Sequence, residues 1–258
     1  MLRLPDILTA TPPPADARLP YGPDRLHFAD LRLPRTKPPH PLAMMIHGGF
    51  WRNRYDLAHA GHLCAALTAR GIATWNIEYR RVGDPGGGWP GTFEDVTNAW
   101  RYIRQRAADH KLDPQRMLVM GHSAGGQLAL CLAGHQREIT SVVSLAGVVD
   151  LKRAWDLHLS HDAVAEFLGG NPQQVPEHYR EASPAELAVT GAAQVLIHGR
   201  QDDTVPFDMS RDYVERKLSR GENVRLVDIA DAGHFDLIDP HSHAWKRVDE
   251  SVAALFHL

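Results

Sequence analysis

The chain has 258 residues, 43% of them apolar, with 28 basic against 31 acidic side chains and a formal net charge of −3. That length and apolar share can bury one large core and predict one domain over residues 1–258 rather than two. So small a net charge gives no electrostatic basis for binding nucleic acid or an anionic membrane surface, and a small or neutral partner fits better.

Residues 1–23, "MLRLPDILTATPPPADARLPYGP", are rich in proline and predict a loose arm along the surface. The stretch has one early arginine but no continuous apolar run, so it does not read as a signal peptide. No later window approaches the roughly 18 to 20 apolar residues that cross a bilayer. Cys64 and Cys131 lie among apolar, helix-like neighbours, as buried free thiols do. Together these features predict a soluble cytoplasmic protein.

From "DRLHFADLRLP", which alternates as a half-exposed strand does, the chain enters a strand-then-helix rhythm. The strand "LAMMIH" precedes the helix "LAHAGHLCAALTARG", closed by Gly71. The strand "IATWNIEY" follows, then a glycine-rich stretch, "RRVGDPGGGWPGT", that predicts a flexible loop over the sheet edge. The helix "TFEDVTNAWRYIRQRAADH" has Thr92 as its cap, with Glu94 and Asp95 in the first turn where the helix dipole favours acids. The strand "RMLVM", the helix "AGGQLALCLAGH" and the strand "ITSVVSLAG" come next. Residues 150–191 break the rhythm with helix-like pieces and no strand, which predicts an excursion above the sheet. It resumes with "AQVLIHG", "FDMSRDYVERKLSRG", "NVRLVDIA" and a last helix from about Ser242. Strands alternating with helices predict an α/β protein with a mostly parallel sheet covered on both faces.

In that frame "GHSAG" (121–125) sits between a buried strand and a helix. A serine lifted above the end of a sheet needs a sharp, strained turn, and Gly121 and Gly125 remove side chains that would collide there. The helix that follows points its first amides at the same place, so the N–H of Ala124 can stabilise a developing oxyanion. A serine hydroxyl also needs a base, and the base an orienting carboxylate. His234, in "DAGHFD" behind Gly233, and Asp202 or Asp203, in "HGRQDDTVP", lie in loops that leave the same C-terminal sheet edge as Ser123. The chain order Ser, Asp, His is that of the strand-turn-helix serine hydrolases. "IHGGFW" adds the amides of Gly49 and Phe50 as further oxyanion donors.

Taken together, "HGGFW", "GHSAGG", "HGRQDDTVP" and "AGHFD" resemble the α/β-hydrolase fold, in particular its esterase and kynurenine formamidase branch, from about Tyr21 onward. The resemblance implies Asp202 rather than Asp203 as the triad carboxylate, and a small helical cap over 150–191. Phe50 stands where the related hormone-sensitive-lipase branch has a third glycine, which weakens transfer of lipase substrate preference.

Competing readings are simpler. His241 and His243 open the last predicted helix without a preceding glycine, and no third ligand at metal-binding spacing accompanies them; no metal and no cofactor is expected. His47 and His198, at equivalent strand ends, are expected to hold their loops by hydrogen bonds. "GDPGGGWPG" lacks the ending of a phosphate-binding loop. Trp51, Trp89, His122, Trp155 and Phe167, with His158 and His161, are candidate substrate contacts, although for Trp51 the favoured reading is that it fills space beneath its loop. The expected activity is hydrolysis of a small ester through Ser123, His234 and Asp202. Alternatives are N-formylkynurenine hydrolysis, an exopeptidase-like activity on an activated amide, or a non-catalytic binding protein on the same fold.

Overall fold

The computed structural model describes residues 4–189 and 191–258. Its strands are β1 (Ala17–Pro20), β2 (Phe28–Arg32), β3 (His40–Ile46), β4 (Ala73–Ile77), β5 (Leu112–His122), β6 (Ser141–Leu145), β7 (Ala193–Gly199) and β8 (Val224–Ile229). They form one sheet in the order β1-β2-β4-β3-β5-β6-β7-β8. The β1/β2 and β2/β4 pairs are antiparallel, and every pair from β4 to β8 is parallel.

Strand periodicity explains why the sheet is buried on both faces. In β3, Leu42, Met44 and Ile46 join one apolar cluster while Ala43 and Met45 join another. In β5, Met117 and Val119 separate in the same way from Leu118 and Met120. Successive side chains point to opposite faces, so a doubly covered strand must be apolar throughout. Leu63, Cys64 and Leu67 of α2 (Gly61–Ala69) and Val248 and Val252 of α9 (Trp245–Leu255) cover one face. The other is covered by α3 (Gly91–Gln105), α4 (Ala124–His135) and α8 (Phe207–Ser219), through residues such as Trp100, Leu128 and Tyr213. This is the mostly parallel, doubly covered α/β sheet that the chain's rhythm predicts, arranged as the resemblance to the α/β-hydrolase fold implies. Between β6 and β7 run α5 (Leu151–Asp156), α6 (Ala163–Leu168) and α7 (Pro176–Ala182), with no strand among the described residues.

Several local expectations are corrected. The first three residues of the proline-rich arm lie outside the described residues, but the rest is not loose. Leu4–Thr9 forms α1, whose Ile7 is 1% exposed, and β1 pairs with β2 through Ala17 to Pro20. Proline density hid a strand short enough to need only four ladder positions. The glycine-rich loop is tightly folded: a Cβ on Gly87 would lie 1.9 Å from the Arg81 carbonyl oxygen, and the Trp89 amide donates to the Phe167 carbonyl at 2.8 Å. Thr92 is not a helix cap, since α3 begins at Gly91; its hydroxyl accepts from the Gly88 amide and donates to the Arg80 carbonyl. Asp95 does not serve the helix dipole either. It is fully buried, where Arg80 and His27 bind its carboxylate. The last helix starts at Trp245, three residues later than expected, because Asp239 first closes a turn onto the His241 amide. Cys64 and Cys131 are buried free thiols, and burial pushes the Cys64 thiol up to about 12.

Because β3, β5, β7 and β8 are parallel, the segments following Ile46, His122, Gly199 and Ile229 leave the same edge of the sheet.

Candidate active site

Ser123 links β5 to α4 with φ +56° and ψ −120°, a conformation that costs a non-glycine residue about 1–3 kcal/mol. Its amide donates to the Leu145 carbonyl at 2.8 Å. The neighbouring glycines are required by backbone crowding rather than by the serine side chain. A Cβ on Gly121 would lie 2.1 Å from the Gly125 carbonyl oxygen, and one on Gly125 would lie 2.0 Å from that of Ile46. The first turn of α4 is thereby pressed onto the end of β3, where the second loop begins.

That loop, Gly48–Trp51, has three successive residues at positive φ: Gly49 (+116°), Phe50 (+48°) and Trp51 (+57°). Two of the three are not glycine, so the conformation must be held from outside. Below it, Trp51 is fully buried, stacks on Phe167 at 4.7 Å and donates its indole N–H to Gln127 Oε1 at 2.9 Å. Gln127 in turn donates to the Ala182 carbonyl. Behind it, His47 Nδ1 meets the Gly48 carbonyl at 2.8 Å and Nε2 meets Glu78 Oε1 at 3.0 Å, while the Tyr79 hydroxyl donates to the His47 carbonyl. Burial would raise the Glu78 carboxyl, but His47, Arg81 and the Tyr79 amide outweigh it and hold it below the usual range.

Asp202 is the aspartate that meets His234. Its side chain is 0% exposed, and its Oδ2 lies 2.7 Å from His234 Nδ1 and 3.1 Å from His198 Nε2. Oδ1 accepts from the amides of Thr204 and Val205, both at 2.8 Å. Burial opposes the charge, but His198, His234 and the Val205 amide hold the carboxyl well below its ordinary value. Asp203 is exposed and accepts instead from the Thr204 hydroxyl. His198 Nε2 also faces the Val205 carbonyl, which can only accept, so that nitrogen carries the proton and Nδ1 accepts from Ser210. His234 is 3% exposed. The close approach of its loop is made possible by Gly199, whose added Cβ would lie 2.0 Å from the Ala232 carbonyl oxygen. Gly233 has no such neighbour.

Ser123 and His234 line one cavity of about 300 Å³, together with Gly49 and Phe50. Its other walls are Arg52, Arg54, Tyr55 and His59 on one chain segment, with Leu8, Ser160, Thr204 and Phe235 from four others. His122 also lines it and donates from Nε2 to the His234 carbonyl at 3.0 Å. Burial, then the neighbouring His234 and His59, pushes the His122 imidazole well below its ordinary value. Burial likewise pushes His59 down to about 3, so both rings are neutral.

Of the expected substrate contacts, His122 reaches the cavity, but Trp51, Trp89, Trp155 and Phe167 are not among its walls. Trp51 stacked on Phe167 and Trp89 stacked on Phe93 meet edge to face through Trp89 and Phe167, and this aromatic cluster buttresses the Gly48–Trp51 loop from behind. Trp155 packs beside His158, which pairs with Asp162, and His161 is exposed. His243 pairs with Asp231. Among the described residues no group of three or more His, Cys, Asp or Glu is placed to hold a metal ion, and no helix is long and apolar enough to cross a membrane. Arg52, Arg54 and Tyr55 directly follow "HGGFW" and were within reach of sequence reasoning; Leu8 and Ser160 carried no signal.

Chemically, the arrangement offers a hydroxyl on a strained turn, an imidazole fixed through Nδ1 by a buried carboxylate, and backbone amides at a helix start and a left-handed loop. These are the parts of an acyl-transfer site.

A family model described as BD-FAE matches residues 29–217. The chain is 29% identical over 258 residues to esterase LipC of Mycobacterium tuberculosis, an alignment covering 88% of this chain and 62% of that protein. It is 25% identical over 243 residues to the probable isoprenylcysteine alpha-carbonyl methylesterase ICMEL1 of Arabidopsis thaliana, covering 84% and 50%. The alignments thus span 50% to 62% of the length of these two relatives. Among solved structures, a truncated carbohydrate esterase from gut microbiota is similar with a TM-score of 0.80 at 22% identity, over 95% of this chain and 99% of that one. The propionate-bound esterase Est2 of Thermogutta terrifontis gives 0.77 at 23% identity, over 95% and 94%. These likenesses show the α/β-hydrolase fold.

Proposed function

This chain belongs to the BD-FAE family, and from that premise we propose that it is a serine esterase acting on small carboxylic esters. The observation that carries the reading is the 2.7 Å contact between His234 Nδ1 and the buried Asp202, on a ring that lines the same cavity as the strained Ser123. With Nδ1 held as the protonated nitrogen, Nε2 is the basic one. It takes the proton from Ser123 as Oγ attacks the carbonyl carbon, and returns it to the leaving alkoxide. The amides of Ala124, Gly49 and Phe50 receive the oxyanion, each donor contributing about 3 kcal/mol to the transition state. Water, deprotonated by the same imidazole, then releases the acid and restores Ser123.

The cavity, about 300 Å³, is at the small end of ligand sites, which supports short acyl groups over long ones. The esterase names of the relatives agree with an ester as the scissile bond. The small helical segment over 150–191 serves on this reading as the cap, with Ser160 its contribution to the cavity.

Ser123→Ala is the direct test. Turnover of p-nitrophenyl acetate should fall by at least about 10³-fold, fluorophosphonate labelling should disappear, and the circular dichroism should be unchanged. Near wild-type turnover in that variant sinks the mechanism. Parallel rates on p-nitrophenyl octanoate and N-formylkynurenine rank acyl length and amide against ester, and acetate is expected to be fastest.

A further inference from the structure

Among the described residues the cavity walls contain two arginines and no acidic side chain. The two arginines are not equivalent. Arg52 is fully engaged: Nε donates to Glu166 at 2.7 Å, Nη1 to the Ser160 hydroxyl at 3.0 Å and Nη2 to the His161 carbonyl at 3.4 Å. It ties the loop after β3 to the helical segment between β6 and β7, and its charge is answered there.

Arg54, two residues on, is exposed and enters no ion pair or hydrogen bond among the described residues. Its guanidinium lies 5.2 Å from the centre of the Tyr55 ring, another wall of the cavity. Tyr55 is itself wedged against the loop, since a Cβ on Gly49 would lie 2.8 Å from the Tyr55 Cβ. The cation is therefore carried on the aromatic ring that braces Gly49, beside the amides assigned to the oxyanion. The neighbouring imidazoles of His59 and His122 are neutral and do not duplicate its charge. A planar guanidinium in this position presents paired N–H donors matched to a carboxylate.

We propose that Arg54 recognises a carboxylate on the substrate, so that the preferred ester is a small molecule bearing an anionic group in addition to the scissile bond. This deepens the esterase reading and rests on it. The carboxylate can belong to the acyl part or to the alcohol, and the test separates the two.

The experiment uses two charged-against-neutral pairs: mono-p-nitrophenyl succinate against p-nitrophenyl butyrate, of equal carbon count with the charge on the acyl side, and the isosteric 4-acetoxybenzoate against 4-acetoxybenzamide, with the charge on the leaving group. The quantity read is the anionic-to-neutral ratio of kcat/KM in wild type, Arg54→Ala and Arg54→Lys. Taking the ratio within each variant cancels any general loss of folded protein. For at least one pair the ratio should fall about 10-fold in Arg54→Ala, mainly through KM, and by less in Arg54→Lys. Adding 0.5 M NaCl should lower the wild-type ratio and leave that of Arg54→Ala unmoved. Ratios within twofold of wild type for both pairs in Arg54→Ala overturn the proposal and mark Arg54 as a solvated surface arginine. Absence of Ser123-dependent turnover on all four esters overturns the esterase reading, and this inference with it.

Discussion

His59 makes the molecule sensitive to mild acid in a way that can be isolated. It is buried beside His47, Tyr55 and His122, and burial lowers it from 6.5 to about 3. Between those values the unfolded chain binds a proton at this position and the folded chain does not, so unfolding is favoured as pH falls through 6.5 and the loss continues toward 3. One proton corresponds to about 1.4 kcal/mol per pH unit. From pH 7 to pH 4.5 the integrated loss from this one residue is about 2–3 kcal/mol. The carboxylates held low, Asp202 and Glu78, lose their contribution only at more acid pH, below the window used. His122 acts in the same direction as His59 and remains in the variant. Urea unfolding followed by circular dichroism at pH 7.0, 5.5 and 4.5 should therefore show a fall in stability for wild type that exceeds that of His59→Gln by about 2–3 kcal/mol, whatever the variant's offset at pH 7. Equal falls in the two proteins refute the reasoning, because they would mean that His59 is protonated in the folded state.

Two further substitutions test the site. Asp202→Asn removes the acceptor that keeps the proton on His234 Nδ1, and kcat on p-nitrophenyl acetate should drop roughly 10³- to 10⁴-fold; Asp203→Asn should stay within about twofold of wild type. Glu78→Gln leaves the buried Arg81 and His47 without their shared carboxylate, costing about 3 kcal/mol, read as a Tm lower by roughly 6–12 °C. Since His47 anchors Gly48, the same variant should lose kcat more than it raises KM; a kcat equal to wild type would separate this network from the loop.

The parts of the site legible in the sequence are those that a short motif defines sterically. "GHSAG" can place Gly at 121 and 125 for one main reason, and the structure supplies it as two carbonyl oxygens about 2 Å from the missing side chains. The choice of Asp202 over Asp203 in "HGRQDDTVP" is implied by the resemblance and not by the residues alone; the structure gives its reason, since Asp202 accepts from the Thr204 and Val205 amides and is thereby aimed at His234. Gly233 misled because a glycine before a histidine looks like room for a close approach, whereas the crowded carbon is Gly199, 34 positions earlier. Trp51 fills the space beneath its loop as favoured, while Trp89 and Phe167 failed as substrate contacts for a related reason. Size and apolarity describe a cavity wall and a buttress equally, and only the stacking of Trp51 on Phe167, 116 residues apart, assigns them to the second role.

The same distinction governs the two arginines that follow "HGGFW". In sequence they are alternate residues of one charged loop, with nothing to rank them. In the fold, Glu166 and Ser160 arrive from more than 100 positions away to occupy Arg52, and Arg54 finds no ion pair or hydrogen bond among the described residues while standing on the ring that braces Gly49. A guanidinium already bonded to a carboxylate gains little from a second anion, whereas one bonded only to water can exchange that water for a substrate carboxylate. On the proposed mechanism, chemistry depends on residues that local motifs specify, and on the proposed role of Arg54, selectivity depends on which nearby charge the distant chain leaves unanswered. The succinate-to-butyrate ratio measures that second quantity directly.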